Sequence, residues 1–512
     1  MKKTRLLCCL IVLLAVCCVL SACTGAGGGA TTTTSEETTT PEQTTTSGRP
    51  IVTLATTEPE PDPKDMPKDE LLLLNGVNIS SYRIVYAQSP LDKTTGSNTG
   101  LTIRGDIGEY LQGENKECDF DYQTAVRLRD LIKEAYGYEL EIVEDAATRA
   151  RESKYEILIG DTNRRSTKTF TALADVALLR DEYVCTMSTV AKKTTQYVIC
   201  GGDYGATWHA IDEIEKFLAD NEGNTTAIDL SDVDKKSSYD FKVIATVGDS
   251  ITRGSQSFPD GNGYGDATGK AASWGSKATA TYFKEYFSYP AVVQRQLWKT
   301  HLVFNCAIGG LTVRQYTGSE SAYYANHTEF KDRCLPASKD YGIDLVLYML
   351  GTNDIHQEHG ASTWNSAARA NFTSEVKNVF DKILVNSPDA QFVMMNAPHR
   401  CNGHNVSADD LAMRAIQLDT AAQLKAGGYN VELYDMDTYT ATKLSSTGSC
   451  ASSDKGELDV HAEYYNINTD TGNPDRTHPN YKGYAKIAEG MLDLIDYKLG
   501  EGEAPAYMIE IG

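Results

Sequence analysis

The sequence predicts an α/β fold: a three-layer αβα domain on a parallel five-stranded sheet, preceded by a smaller α+β domain. Three observations lead there. Five apolar runs of strand length (241–247, 301–306, 344–350, 391–396 and 431–434) alternate with helical segments across residues 239–500. Near-continuous apolar strands separated by helices suit a parallel sheet covered on both faces. Residues 71–235 instead mix short strands with two amphipathic helices, and residues 23–70 lack the apolar content for a core. A chain of 512 residues has room for this plan. Its 41% apolar and 23% charged content excludes a polytopic membrane protein and a chain disordered throughout.

The chain opens with Lys2, Lys3 and Arg5, then an apolar run over 6–20, then Leu20-Ser21-Ala22-Cys23. So short a run reads as the core of a signal peptide rather than a membrane span of ~20 residues. The Leu-Ser-Ala-Cys end resembles a bacterial lipobox. The resemblance implies that residues 1–22 are a lipoprotein signal peptide and that Cys23 is lipidated. The chain would then be exported and lipid-anchored at the bacterial cell surface. The alternative is an ordinary secretory signal in which Cys23 is incidental. Residues 23–70 follow as a linker, threonine-rich over 31–48 and running through Glu58-Pro59-Glu60-Pro61-Asp62-Pro63. That composition stays solvated and extended.

Within 71–235, residues 82–86, 140–143 and 155–160 read as strands, and 183–187 with 196–200 as a hairpin. Residues 125–136 and 206–219 place apolar residues at helical spacing: Val126, Leu128, Leu131, Ile132 and Ala135 in the first, Trp208, Ile211, Ile214 and Phe217 in the second. The layout is a sheet with helices on one face. The run Ile157-Leu158-Ile159-Gly160-Asp161-Thr162-Asn163-Arg164 and the glycines at 201, 202 and 205 resemble small α+β domains that precede catalytic domains in some polysaccharide-degrading enzymes. A generic α+β spacer is the other reading. No nucleophile or metal cluster stands out here.

In the second domain the chemistry-bearing residues fall where strands end, which is where open parallel sheets place their sites. The first strand ends in Gly248-Asp249-Ser250, and the second leads into Asn305-Cys306-Ala307-Ile308-Gly309-Gly310. The third ends in Gly351-Thr352-Asn353-Asp354, and Asp475-Arg476-Thr477-His478 precedes the last helix. Gly-Asp-Ser, a glycine loop, Gly-x-Asn-Asp and Asp-x-x-His in this order resemble the SGNH (GDSL) hydrolase family over about half of the chain. The resemblance implies an SGNH-type fold and ester hydrolysis without a cofactor or metal.

Each residue type suits that chemistry. A serine hydroxyl attacks an acyl carbon only when a base takes its proton, and histidines, with an ordinary pKa of ~6.5, do so near neutrality. A carboxylate orients the base. The resemblance therefore implies Ser250 as nucleophile, His478 as base and Asp475 as its orienter. It implies oxyanion donors from the backbone of Ser250, the backbone of Gly310 and the amide of Asn353. Gly309 competes with Gly310; aligning Asn305 with the family's preceding asparagine favours Gly310, where a glycine lets the backbone approach the oxyanion. Taken singly, Ser250 is also a helix cap, Asn353 and Asp354 a turn, and Asp475 and His478 a cap of the last helix. No G-x-S-x-G occurs, which argues against an α/β-hydrolase elbow.

Other features bound the function. Beyond the leader the cysteines are Cys118, Cys185, Cys200, Cys306, Cys334, Cys401 and Cys450, with no C-x-x-C pair, so no zinc ribbon is indicated. Cys401 and Cys450, in polar stretches, are placed to bridge loops; the others read as small buried side chains. His356, His359, His399 and His404 lack carboxylate or thiol partners at ligand spacing. The glycine-rich 261–265 follows no strand and reads as a surface loop rather than a phosphate cradle. A long insertion at 255–288 carries Trp274, Tyr282, Phe283, Tyr286 and Phe287, suited to sugar stacking or, more simply, to packing on the sheet. A second segment, 397–470, is polar. A net charge of −22 disfavours nucleic acid. The expected protein is a surface-anchored serine esterase removing acetyl or similar small acyl groups from a polysaccharide. The alternatives are an esterase on lipid or small-molecule esters and a non-catalytic glycan-binding protein.

Overall fold

The computed structural model describes residues 71–87, 119–145, 152–164, 178–191, 194–254, 287–316, 330–357, 364–398, 408–443, 464–468, 473–479 and 481–511. The expected leader, its Cys23 and the linker lie outside the described residues. So do most of the 255–288 insertion, His359, His399, His404, Cys118, Cys401 and Cys450.

The smaller sheet follows from alternation along its strands. β1 (Leu72–Leu74) and β2 (Val77–Asn78) pair antiparallel at the start. Then come β3 (Arg83–Tyr86), helix α1 (Phe120–Tyr136), β4 (Ile142–Glu144), β5 (Glu156–Ile159), β6 (Glu182–Ala191), β7 (Thr194–Gly201) and helix α2 (Tyr204–Asp220). β8 (Ile228–Asp229) joins β1, and β9 (Lys235–Ser238) closes the main sheet in the order β4-β3-β5-β7-β6-β9. β3, β4, β5 and β7 run parallel, while β6 and β7 form the expected hairpin. Ile84, Ile157, Ile159, Tyr197 and Ile199 face Leu128, Ile132, Ala210 and Ile214 of α1 and α2. Val85, Leu158, Val198 and Cys200 line the opposite face. Both helices thus cover one side. Arg164 of the Gly-Asp-Thr-Asn-Arg run is buried and pairs with buried Glu156 at 3.0 Å, so that run builds structure here.

The second sheet contains β10 (Lys242–Gly248), β11 (His301–Asn305), β12 (Leu345–Met349), β13 (Gln391–Met395) and β14 (Val431–Tyr434), all parallel. Its helical partners are α3 (Ser250–Arg253), α4 (Tyr289–Leu297), α5 (Val313–Tyr316), α6 (Leu335–Asp340), α7 (Thr352–Gln357), α8 (Ser366–Leu384), α9 (Ala408–Ala426), α10 (Met436–Lys443) and α11 (Tyr481–Leu499). A ribbon of β15 (Tyr465–Asn468) and β16 (Asn473–Pro479) precedes α11. The order is β11-β10-β12-β13-β14-β17, where β17 (Met508–Ile509) runs antiparallel to β14. Alternate residues again divide the core. Ala245, Val346, Tyr348, Phe392 and Leu433 meet α8 and α9; Ile244, Leu347, Val393 and Tyr434 meet α4, α10 and α11. This is the expected three-layer arrangement.

One expectation is corrected. The five parallel strands carry a sixth, β17, which lies past residue 500 where the βα pattern stops. It is too short to show a period and forms because it satisfies the open edge of β14. Within the polar segment 397–470, the helix that the alternation calls for between β13 and β14 is the nineteen-residue α9. Its buried stripe includes Gln417, Thr420 and Ala421 beside Met413, Ile416 and Leu424, so small and polar residues mute the apolar signal. Phe287 of the 255–288 insertion is buried, at 1% exposure, as packing rather than stacking on a ligand requires. The two sheets also share a core: Phe241 and Leu302 are buried with the residues of α1 and α2.

Candidate active site

β10 stops at Gly248 because the chain must fold straight back. A Cβ there would lie 2.0 Å from Thr252 Oγ1, so only glycine lets α3 close on the strand. Asp249 is buried and caps α3, its Oδ1 accepting from the Ile251 N–H at 2.9 Å. Ser250 is then the first helical residue, partly exposed just past the carboxyl end of β10. Tyr289 supports α3 from below, its hydroxyl donating to Thr252 Oγ1 at 3.2 Å; burial pushes that phenol up, keeping it a neutral donor.

The second loop stays joined to β10 beyond the strand. Cys306 N–H donates to the Thr246 carbonyl and Ile308 N–H to the Gly248 carbonyl, each at 3.0 Å. Asn305 fixes the corner: its Oδ1 accepts from Ala307 N–H at 3.2 Å and its Nδ2 donates to the Thr252 carbonyl at 3.3 Å. Gly309 is thereby set beside the nucleophile position, since a Cβ on it would sit 3.6 Å from Ser250 Cβ and 3.8 Å from Arg253 Nη1. Gly310 has φ +80° and a Cβ on it would meet nothing within 4 Å. The backbone conformation at 310 by itself calls for glycine.

The third loop grips the second. Asn353 Nδ2 donates to the Leu311 carbonyl at 3.1 Å and makes a longer contact of 3.4 Å to Asp249 Oδ2. Asp354, 3% exposed, accepts from Val313 N–H with both carboxylate oxygens at 3.2 Å. Residues 353 and 354 thus hold the chain just after Gly310.

His478 arrives from the ribbon. The sequence placed it on a loop, but it lies in β16, paired with β15. Strand pairing there is carried by backbone hydrogen bonds across a register shift, which leave no alternating apolar pattern to read. His478 Nε2 is 2.8 Å from Ser250 Oγ. Asp475 shares the strand, but its side chain lies outside the described residues, as does that of His356 in α7. Among the described residues no group of three or more His, Cys, Asp or Glu is placed to hold a metal ion. The structure adds contributors the sequence reading passed over: Asp249, the side chain of Asn305, and Asp354. The signal for Asp249 and Asp354 is their position directly beside Ser250 and Asn353.

Residues 244–491 match the family described as GDSL-like Lipase/Acylhydrolase. Among solved structures the chain is similar to a family two carbohydrate esterase from Clostridium thermocellum in complex with cellohexaose, at 17% identity and a TM-score of 0.32, covering 52% of this chain and 67% of that one. It is also similar to an acetylxylan esterase from Geobacillus stearothermophilus, at 16% identity and a TM-score of 0.29, covering 49% of this chain and 92% of that one. No curated protein sequence matches the chain. The family match runs from β10 into α11 and so takes in all four loops that meet at Ser250. The match covers just under half of the chain and marks residues 244–491 as similar to a GDSL-like lipase/acylhydrolase domain.

Proposed function

We propose that the chain is a surface-tethered serine esterase that removes acetyl or similar small acyl groups from a polysaccharide through an acyl-serine intermediate. The observation that carries the mechanism is the 2.8 Å contact between Ser250 Oγ and His478 Nε2. His478 takes the serine proton as Ser250 attacks the acyl carbon, then returns it to the departing sugar oxygen; water repeats the sequence on the acyl-serine. Asp475 orients the imidazole. The oxyanion that forms in each half is met by the backbone of Ser250 and Gly310 and by Asn353. The Asn353 amide gives up its 3.4 Å contact with Asp249 to do so. One such donor is worth ~10²–10³ in rate.

The polysaccharide part rests on the exported, tethered organisation read from the N-terminus and on the domain preceding the esterase. A net charge of −22 suits a neutral glycan better than an anionic polymer. Lipidation of Cys23 would hold the chain at the cell surface, with residues 23–70 as spacer.

The test is acetate release from acetylated xylan, other acetylated plant glycans and O-acetylated peptidoglycan, compared side by side without added metal. Release from a glycan, lost in Ser250→Ala, supports the proposal. Cleavage of lipid or small esters with no release from any glycan overturns the substrate. Retention of the protein in the membrane fraction, lost in Cys23→Ala, tests the anchor.

A further inference from the structure

We propose that Cys306 and Cys334 form a disulfide as the chain folds in the presence of a disulfide donor, a covalent staple behind the loop that carries Gly309 and Gly310. Cys306 is the first residue after β11, and Cys334 ends a π-helical turn (Phe330–Cys334) that leads into α6. Both cysteines are free thiols fully buried in one apolar cluster, and Cys306 Sγ donates to the Phe304 carbonyl at 3.5 Å.

Their flanks hold the two segments together independently of the sulfurs. Arg333 Nη1 donates to the Asn305 carbonyl at 3.2 Å. Tyr316 donates its hydroxyl to the Cys306 carbonyl at 2.9 Å and packs its ring on Phe330, centroids 4.9 Å apart. Contacts flanking both cysteines therefore hold their two segments against each other, the first condition for a disulfide. The other described thiols differ. Cys185 and Cys200 lie on neighbouring strands but on opposite faces of the smaller sheet, each in a separate cluster.

The chemistry is thiol–disulfide exchange. One cysteine thiolate attacks the donor disulfide, forming a mixed disulfide and releasing one donor thiolate. The second cysteine thiolate attacks the protein sulfur of that mixed disulfide and releases the other. The two cysteines are oxidised, the donor is reduced to two thiols, and the cysteine protons end on them. Burial pushes the Cys306 thiol well up, so exchange belongs to the folding chain, before the pair is sealed. The inference stands apart from the catalytic reading.

The experiment refolds the reduced full chain with glutathione disulfide, and in parallel with reductant alone. Each sample is then denatured, alkylated and cleaved after Lys and Arg, which places the cysteines on peptides 300–314 and 334–339. The expected result after oxidative refolding is these two peptides joined, lighter by two hydrogens, with neither thiol alkylated. The reduced sample should yield both peptides separately, and its urea midpoint should be lower. Cys306→Ala and Cys334→Ala should each lose the redox dependence of the midpoint, whereas Cys185→Ala should keep it. Alkylation of both thiols after oxidative refolding overturns the proposal, as does pairing of either with another cysteine; the peptide map of the unsubstituted chain decides even if a variant does not fold.

Discussion

The hydroxyl of Ser250 and the imidazole of His478 lie 2.8 Å apart although 228 residues separate them in the chain. The contact needs a strand end, a four-residue helix and a two-stranded ribbon to arrive together. Ser250→Ala removes the hydroxyl and leaves this scaffold intact. Turnover of a chromogenic acetyl ester should fall by at least ~10³ with KM little changed. A loss of only about tenfold would show that Ser250 is not the nucleophile.

The two neighbouring glycines should separate cleanly. Gly310→Ala places an L side chain at φ +80°, a cost of about 1–2 kcal/mol that strains the loop. Gly309→Ala adds a methyl at 3.6 Å from Ser250 Cβ, an ordinary contact. Urea unfolding should therefore report destabilisation for Gly310→Ala and little change for Gly309→Ala.

Asp354 is expected to act on turnover through position. Asp354→Ala leaves the buried Val313 N–H without its carboxylate, a cost of about 1–3 kcal/mol. Because Val313 follows the Gly310 loop by three residues, kcat should drop more than KM rises. A variant with lowered stability and unchanged kcat would leave Asp354 a purely structural residue.

Acid should weaken the fold through Asp435. Burial opposes ionisation of its carboxyl, but the Asn396 amide, Thr438 and the Arg414 guanidinium outweigh it and hold the carboxyl below the usual range. Arg414 Nη2 lies 2.7 Å from Asp435 Oδ2. A carboxyl depressed in the folded state contributes stability above its unfolded pKa of ~3.9, and that contribution is lost as pH falls through the folded value. Urea midpoints should decline below pH ~4, and Arg414→Ala should flatten that decline.

The thiols of Cys185 and Cys200 are pushed up to about 12 by burial. In the native chain at pH ~8 neither should react with iodoacetamide, while denaturation should expose both. Mass mapping of the alkylated peptides reads this directly.

Much of the fold was legible because it is written locally. Each of the five parallel strands is a mostly apolar run, since helices cover both faces. The four loop motifs are legible for the same reason: each is a few adjacent residues at a strand or helix end. What escaped has no local signature. β17 is two residues long and exists only because β14 offers an open edge. α9 was implied only by the alternation of strands and helices, because its buried stripe includes Gln417, Thr420 and Ala421, which count as core only where the sheet makes them so.

By itself the sequence determined the order of elements, the esterase motifs and the residue types able to carry the chemistry, all properties of short stretches of chain. Tertiary structure alone decided which atoms meet. The order β11-β10-β12 puts the three loops side by side, and the hydrogen bonds of Cys306 and Ile308 to β10 carry Gly309 to Ser250. The β15–β16 ribbon delivers His478 from far along the chain. Those distances follow from sheet register and core packing, which depend on the whole chain at once.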